Sequence, residues 1–202
     1  FEEPIYAHLP LILAPNRSKL SKRYAEVSLL AYKTQGYLPE ALLNFIAMLG
    51  WHPHDEKEIF AADELQKEFA LDRVQKAGAV FNIEKLDWLN REHIKLLSGE
   101  TILGRIRLFA PQLKEKEISF SNEKMARIVE AVRERMRSLH DFFELTDFFF
   151  ELPEYEAELL VWKGEAPETT KSVLEKEIEA IEGTKNKITA DTIKKAFEKT
   201  GL

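Results

Sequence analysis

The apolar positions of the chain fall into one short continuous run and then a long series of helical stripes. The run "IYAHLPLILAP" (5–15), bounded by Pro4 and Pro15, predicts a buried strand or extended segment. Pro15, Asn16, Arg17 and Ser18 carry turn chemistry. From Tyr24 onward the spacing is helical. "YAEVSLLAYKTQG" puts Val27, Leu30 and Ala31 on one face and stops at Gly36. "LPEALLNFIAMLG" forms a wide stripe of Leu38, Leu42, Phe45, Ile46 and Leu49, with Pro39 in the first turn and Gly50 as the stop. Asp63 is expected to cap "ELQKEFAL", Asn82 to cap "IEKLDWL" and Asn90 to cap "REHIKLL". Thr101 to Ala110 reads as a short helix ended by Pro111. Ser121 and Asn122 lead into "EKMARIVEAVRERMRSL", whose apolar face is Met125, Ile128, Val129, Val132, Met136 and Leu139. The aromatic stretch "TDFFFELPEYEAELL" is broken by Pro153. Pro167 opens "ETTKSVLEKEIEAIEG", with Val173, Leu174, Ile178 and Ile181 as its face. The last stripe, "TADTIKKAFEKTG", has Thr189 as its cap and Ile193, Ala196 and Phe197 as its apolar side.

The pattern therefore predicts a mainly α protein: a short extended segment and loop, then many short helices, with seams near residues 24, 99–100 and 162–168. A length of 202 residues with 45% hydrophobic and 32% charged content suits a globular chain with a real core. No apolar run approaches the ~20 residues that span a membrane, and the N-terminus has no signal-peptide pattern. Starting at Phe1 rather than Met, the sequence reads as a piece of a longer chain. Without cysteine it has neither disulfides nor cysteine-based zinc sites, which fits a cytoplasmic protein. The net charge of -6 is unevenly spread, with 8 Lys+Arg against 15 Asp+Glu in residues 141–202. That acidic tail argues against general polyanion binding, but the near-neutral remainder leaves room for local phosphate-binding patches.

One such patch is "APNRSKLSKRYAEV" (14–27), where Arg17, Lys19, Lys22 and Arg23 crowd together. Small polar residues let a backbone approach an anion, and lysines on flexible stems can follow a phosphate as its charge moves. A helix start downstream adds the positive end of its dipole. Neither a Walker pattern nor a dinucleotide glycine fingerprint occurs. Spacing alone leaves a solvated basic loop as the alternative.

The letters add more. "KLSKR" (19–23) resembles the KMSKS signature loop of class I aminoacyl-tRNA synthetases. "AHLPLILAPNRSKLSKR", then "GYLPEALLNFIAMLGW", then "VFNIEKLDWLN" are together similar to bacterial glutamyl-tRNA synthetases. The resemblance implies a glutamate–tRNA ligase that uses ATP and magnesium, forms a glutamyl-adenylate and passes glutamate to tRNA(Glu), as a cytoplasmic monomer. It implies that the loop closes over ATP, with Lys22 as the second motif lysine stabilising the triphosphate, Lys19 as the first and Ser21 as the motif serine. Leu20 and Arg23 depart from the consensus letters. The HIGH-type motif and sheet of the family's catalytic domain are not in the sequence. The chain is thus expected to hold the end of the catalytic domain (1–23), a stem-contact domain (24–99), a first helical anticodon-binding subdomain (100–165) and the start of a second (166–202). On that reading it is inactive alone, supplies no magnesium ligands, and its first ~20 residues lack sheet partners. The rival reading is a stand-alone helical RNA-binding module without ligase activity.

Further candidates follow from the same resemblance. Lys85 and Trp88, three apart, share a helix face where a lysine meets a phosphate and an indole a ribose of the tRNA stem. Core burial of Trp88 is the alternative. Arg133, Arg135 and Arg137 lie in "RERMRSL"; the resemblance implies that this helix faces the anticodon, with Arg133 and Arg135 binding tRNA and Arg135 at the position that selects the glutamate anticodon. A solvated face paired with Glu130 and Glu134 is the alternative. His52, His54, Asp55 and Glu56 do not have metal-ligand spacing. The run Phe148–Phe150 is expected in the core rather than as a base-stacking platform.

Overall fold

The computed structural model describes residues 3–4, 6, 8–21, 28–110, 120–151, 154–161, 164–183, 191 and 194. The chain divides into two compact units, Phe1–Glu151 and Leu152–Leu202. In the first unit the extended segment forms strand β1 (Ile12–Leu13), which pairs in parallel with β2 (Ala79–Val80) in the register Ile12 to Ala79 and Leu13 to Val80. So the segment does find a partner inside the chain. It is not the buried strand expected, however: Ala14 is fully buried, but Leu9 and Leu11 are exposed. Two strands with one ladder cannot cover both faces of a sheet.

The helices of this unit are α1 (Leu29–Thr34), α2 (Pro39–Met48), α3 (Ala62–Glu68), α4 (Ile83–Lys95), α5 (Gly99–Phe109), α6 (Asn122–Val132) and α7 (Asp141–Phe150). Their caps follow local chemistry. The Asn82 side chain accepts from the backbone of Glu84 and Lys85, and the Ser98 and Ser121 side chains accept from Thr101 and Lys124. Asp63 is not a cap; it lies in the first turn of α3, where Ala61 N–H donates to Glu64. Asn90 is not a cap either, because α4 runs through it without interruption.

Three apolar clusters hold the unit. The largest joins Leu38 and Ala41 at the start of α2 to Ile94, to α5 (Ile102, Leu103, Ile106), to α6 (Met125, Ile128, Val129, Val132) and to Met136, Leu139 and Phe142. A second joins Tyr32, Leu42, Phe45, Leu86 and Leu89, and a third Trp51, Phe60 and Leu65. Gly99 marks a tight helix contact: a Cβ there would stand 2.7 Å from the Ala126 carbonyl oxygen of α6. The stripes shift slightly from expectation. Tyr32, not Leu30, is the buried side chain of α1, and in α2 Asn44 is inside while Ile46 is outside.

The predicted helix through Leu139 stops early. α6 ends at Val132, a 3-10 turn covers Arg133–Arg135, and Met136 is extended. Other bonds replace the helical ladder: Leu139 N–H donates to the distant Gly36 O, and Arg137 N–H donates to the side chain of Asp141, four residues further on. Met136 and Leu139 still reach the core.

In the second unit a 3-10 turn (Ala157–Leu160) precedes α8 (Pro167–Glu182). Pro167 sits in the first turn of α8 and Thr170 is buried. Val173, Leu174 and Ile181 are half-buried and Ile178 is exposed. Lys22, Arg23, Val27, Pro111, Pro153, Thr189, Ile193, Ala196 and Phe197, for which the sequence sets expectations, lie outside the described residues.

Candidate nucleic-acid interface

The basic loop is built by a tight turn. Ala14 N–H donates to Ser18 O at 2.8 Å, and Arg17 N–H to Ala14 O at 2.8 Å. Asn16 Oδ1 accepts from the Ser18 amide and hydroxyl at 3.1 and 2.7 Å, and Arg17 takes the left-handed region at φ 62°. The chain then returns along β1: Lys19 bridges Leu13, and Leu20 N–H donates to Ile12 O at 3.0 Å. Leu20 turns partly inward while Lys19 and Ser21 stay exposed. Strand-like alternation therefore aims the lysine and the serine outward together. Lys22, the next cation, lies outside the described residues.

Helix α4 carries the second group. The apolar spacing of Leu86, Leu89, Asn90, His93 and Ile94 buries one side, which leaves Lys85 and Trp88 on the other. The two meet as predicted from their spacing: Lys85 Nζ stands 4.0 Å from the Trp88 ring centroid. Trp88 is 37% exposed, so its indole is not a core side chain. Lys85 also donates to Glu58 Oε1 at 2.5 Å, a partner that sequence spacing could not reveal. With both side chains partly solvated, this ion pair contributes no more than ~1 kcal/mol, and a phosphate can compete for the ammonium.

The arginine turn supplies the third group, and its members part company. Arg133 is turned inward: Nη1 donates to Leu97 O at 3.1 Å and lies 3.1 Å from Glu130 Oε2. Arg135 is exposed and makes no hydrogen bond or ion pair among the described residues. The Arg137 side chain, also exposed, leans on Asp141 at 3.4 Å. Beside it lies a polar cleft of about 300 Å³ lined by Thr34, Tyr37, Asp87, Ser138 and Asp141. There the Tyr37 hydroxyl donates to Asp87, and burial with that carboxylate raises the phenol well above its ordinary range.

The buried side of α4 fixes where its outer side points. Asn44 Oδ1 accepts from Phe60 N–H at 2.9 Å and meets His93 Nε2 at 3.0 Å. Because the amide N–H can only donate, the shared atom is the oxygen, so His93 carries its proton on Nε2. Burial holds the His93 pKa below its ordinary value, partly opposed by Glu40. Arg105 on α5 grips Glu40 on α2 through two bonds of 2.8 and 2.6 Å, which lowers the pKa of the carboxyl.

Phe148 and Phe149 are 58% and 38% exposed, while Phe150 packs on the main cluster. The expectation of a core run thus holds only for its last member. Asp147 and Glu151 stand near the same C-terminal end of α7, while Phe149 lines a cleft with Glu123, Lys124 and Arg127 of α6. Among the described residues no group of three or more His, Asp or Glu side chains could hold a metal ion, and no helix is long and apolar enough to cross a membrane.

Comparison with known proteins places these groups in a family. Residues 1–88 match the model for the catalytic domain of class I tRNA synthetases (E and Q), and residues 84–201 match an anticodon binding domain. The glutamate–tRNA ligase of Chlorobium phaeobacteroides (strain BS1) is 39% identical over 207 residues, covering 98% of this chain and 41% of the relative. Glutamate–tRNA ligase 1 of Fervidobacterium nodosum is 43% identical over 150 residues, covering 74% of this chain and 31% of the relative. A crystal structure of a glutamate tRNA ligase from Elizabethkingia meningosepticum, in complex with its amino acid, superposes with a TM-score of 0.80 at 35% identity over 99% of this chain and 42% of that one. The chain thus spans about two fifths of the length of these relatives or less. Two family models that together run almost from end to end, and a mainly helical fold shared with solved relatives, lead to one conclusion: the chain belongs to the glutamate–tRNA ligase family of class I tRNA synthetases.

Proposed function

We propose that this chain is part of a cytoplasmic glutamate–tRNA ligase, supplying the loop that closes over ATP and the surfaces that hold tRNA(Glu) by stem and anticodon. The observation that carries the reading is the partly exposed pair on α4, an ammonium 4.0 Å above a half-open indole. That pair offers a phosphate contact and a flat apolar surface for a sugar or base side by side. The match of residues 1–88 to a catalytic domain supports a ligase rather than a free-standing RNA-binding module.

Each group has a task set by its chemistry. Lys19 and Ser21 face outward from a fixed turn and meet the nucleotide phosphates. Lys22, three residues after Lys19, stabilises the charge that develops on the triphosphate as glutamate attacks and pyrophosphate leaves. Magnesium, which the family implies, takes its ligands from parts of the parent protein outside this chain. Lys85 exchanges Glu58 for a stem phosphate, and Trp88 packs on the adjoining ribose. Arg135, exposed and unpaired among the described residues, reads an anticodon base edge with its planar fork. Arg133 braces the turn from inside. Residues 24–99 then form the stem-contact region, 100–165 the first anticodon-binding subdomain and 166–202 the start of the second.

Binding of a tRNA(Glu) transcript to the full-length protein tests this. Trp88→Ala should weaken binding by about tenfold, in line with the loss of one stacking contact. Lys85→Met should lower the slope of log affinity against log salt by about one. Unchanged affinity and unchanged slope in both variants would remove α4 from the interface.

A further inference from the structure

Asn90 lies in the middle of α4 with no exposed surface. A side-chain amide in such a place is costly unless its polar atoms are matched. Both ends of this one are matched across the fold. Oδ1 accepts from Leu38 N–H at 2.8 Å, and Nδ2 donates to the Arg137 carbonyl at 2.5 Å. These partners stand 52 residues before Asn90 and 47 after it.

The two outer segments are also tied to each other. Leu139 N–H donates to Gly36 O at 2.9 Å. Gly36 has φ +80°, and a Cβ there would meet His140 N at 2.8 Å and Leu139 N at 3.0 Å. Only glycine permits both the conformation and the approach. Tyr37, next in the chain, donates to Asp87 on the same helix as Asn90. The loop before α2, the centre of α4 and the stretch after the arginine turn are therefore closed into one hydrogen-bonded ring.

The ring has a Trp88 side and an Arg135 side. Trp88 precedes Asn90 by two residues, and Arg135 precedes the clamped Arg137 by two. An apolar side chain at position 90 could fill the same space, but it would not specify one register between the segments. Two directed bonds do.

We propose that Asn90 is a positioning residue that holds the Lys85–Trp88 pair and the arginine turn at one fixed separation, so that two points on the same tRNA are met by a rigid body. The inference rests on the RNA-binding reading above. Two contacts held on one rigid frame strengthen each other, because once the first has formed the second is already in place. When the frame loosens, each contact survives but the gain from joining them is lost.

The test uses the full-length protein and two RNAs, a tRNA(Glu) transcript and the same transcript without its anticodon arm. Asn90→Asp keeps an acceptor for Leu38 N–H but sets an oxygen against the Arg137 carbonyl. Gly36→Ala loosens the same segment from the opposite side by steric contact. Both variants should lose at least about fivefold in affinity for the whole transcript while binding the armless one as the wild type does. Arg135→Ala should also cost less in either background than in the wild type. Parallel losses for both RNAs, no loss for either, or an undiminished Arg135→Ala effect would overturn the clamp. Unfolding of both variants would overturn it too, since Asn90 would then serve stability alone. If the wild type itself binds the two RNAs equally, the RNA reading has failed and the clamp falls with it. If the wild type separates them and the variants separate them equally well, only the clamp has failed.

Discussion

Asn44→Ala tests how the inner side of α4 is moored. The substitution removes one oxygen that serves two buried donors, Phe60 N–H at 2.9 Å and His93 Nε2–H at 3.0 Å. Phe60 is 1% exposed and His93 6%, so water cannot readily replace the lost acceptor. A stranded buried donor costs ~1–3 kcal/mol, which would place two of them near ~4 kcal/mol. An offset exists: Asn44 Nδ2 is itself buried without a hydrogen-bond partner among the described residues, and the variant removes that penalty. The net loss is then ~2–3 kcal/mol, or a fall in Tm of roughly 5–10 °C for a unit of this size. Urea unfolding followed by far-ultraviolet circular dichroism should show a lower midpoint with an unchanged m-value. A loss below ~0.5 kcal/mol would mean that the two donors find other acceptors at little cost and that Asn44 does not moor α4.

Further outcomes follow from the same geometry. The two-bond Arg105–Glu40 pair joins α5 to α2 with side chains 29% and 40% exposed, so a double-mutant cycle to alanine should give a coupling of only ~1 kcal/mol, reduced in 1 M salt. A coupling that is insensitive to salt would contradict a solvent-screened pair. The depressed pKa of His93 means that the unfolded chain takes up that proton more readily than the folded one. Its stabilising effect is therefore complete above the ordinary value of 6.5 and is lost as pH falls below it, a slope that His93→Gln should remove. The Glu40 carboxyl, also lowered, adds stability above its ordinary value of 4.5 that is lost as pH falls through the folded value. Arg105→Ala should flatten that acid limb in a pH series of unfolding midpoints.

Much of this architecture was legible in the sequence because it rests on local rules. Asn82 and Ser121 cap the helices they precede, and the stripe of α6 from Met125 to Val132 is the stripe that is buried. The meeting of Lys85 with Trp88 followed from a spacing of three on a helix. The misreadings share a cause. Asn90 has the letter of a helix cap but is used as a buried tie between distant segments, and nothing within a few residues of it reveals partners 52 and 47 positions away. The early end of α6 has the same cause in part: the distant Gly36 takes the amide of Leu139, whereas the amide of Arg137 goes to the nearby Asp141 side chain. Asn44 broke the apolar stripe of α2 because two buried donors required an oxygen there. Sequence pattern also could not separate Arg133 from Arg135. Their roles diverge only because the Leu97 carbonyl and Glu130 lie within reach of the first.

Under the proposal, this chain serves a glutamate–tRNA ligase whose cationic loop acts on ATP. Charging of tRNA(Glu) with labelled glutamate by the full-length protein, wild type against Lys22→Ala, addresses it most directly. ATP-dependent glutamyl-tRNA formation is expected from the wild type, with a loss of at least ~100-fold in the variant, the size of a missing transition-state charge contact. No charging by the wild type, or near-equal rates for the two proteins, would contradict it.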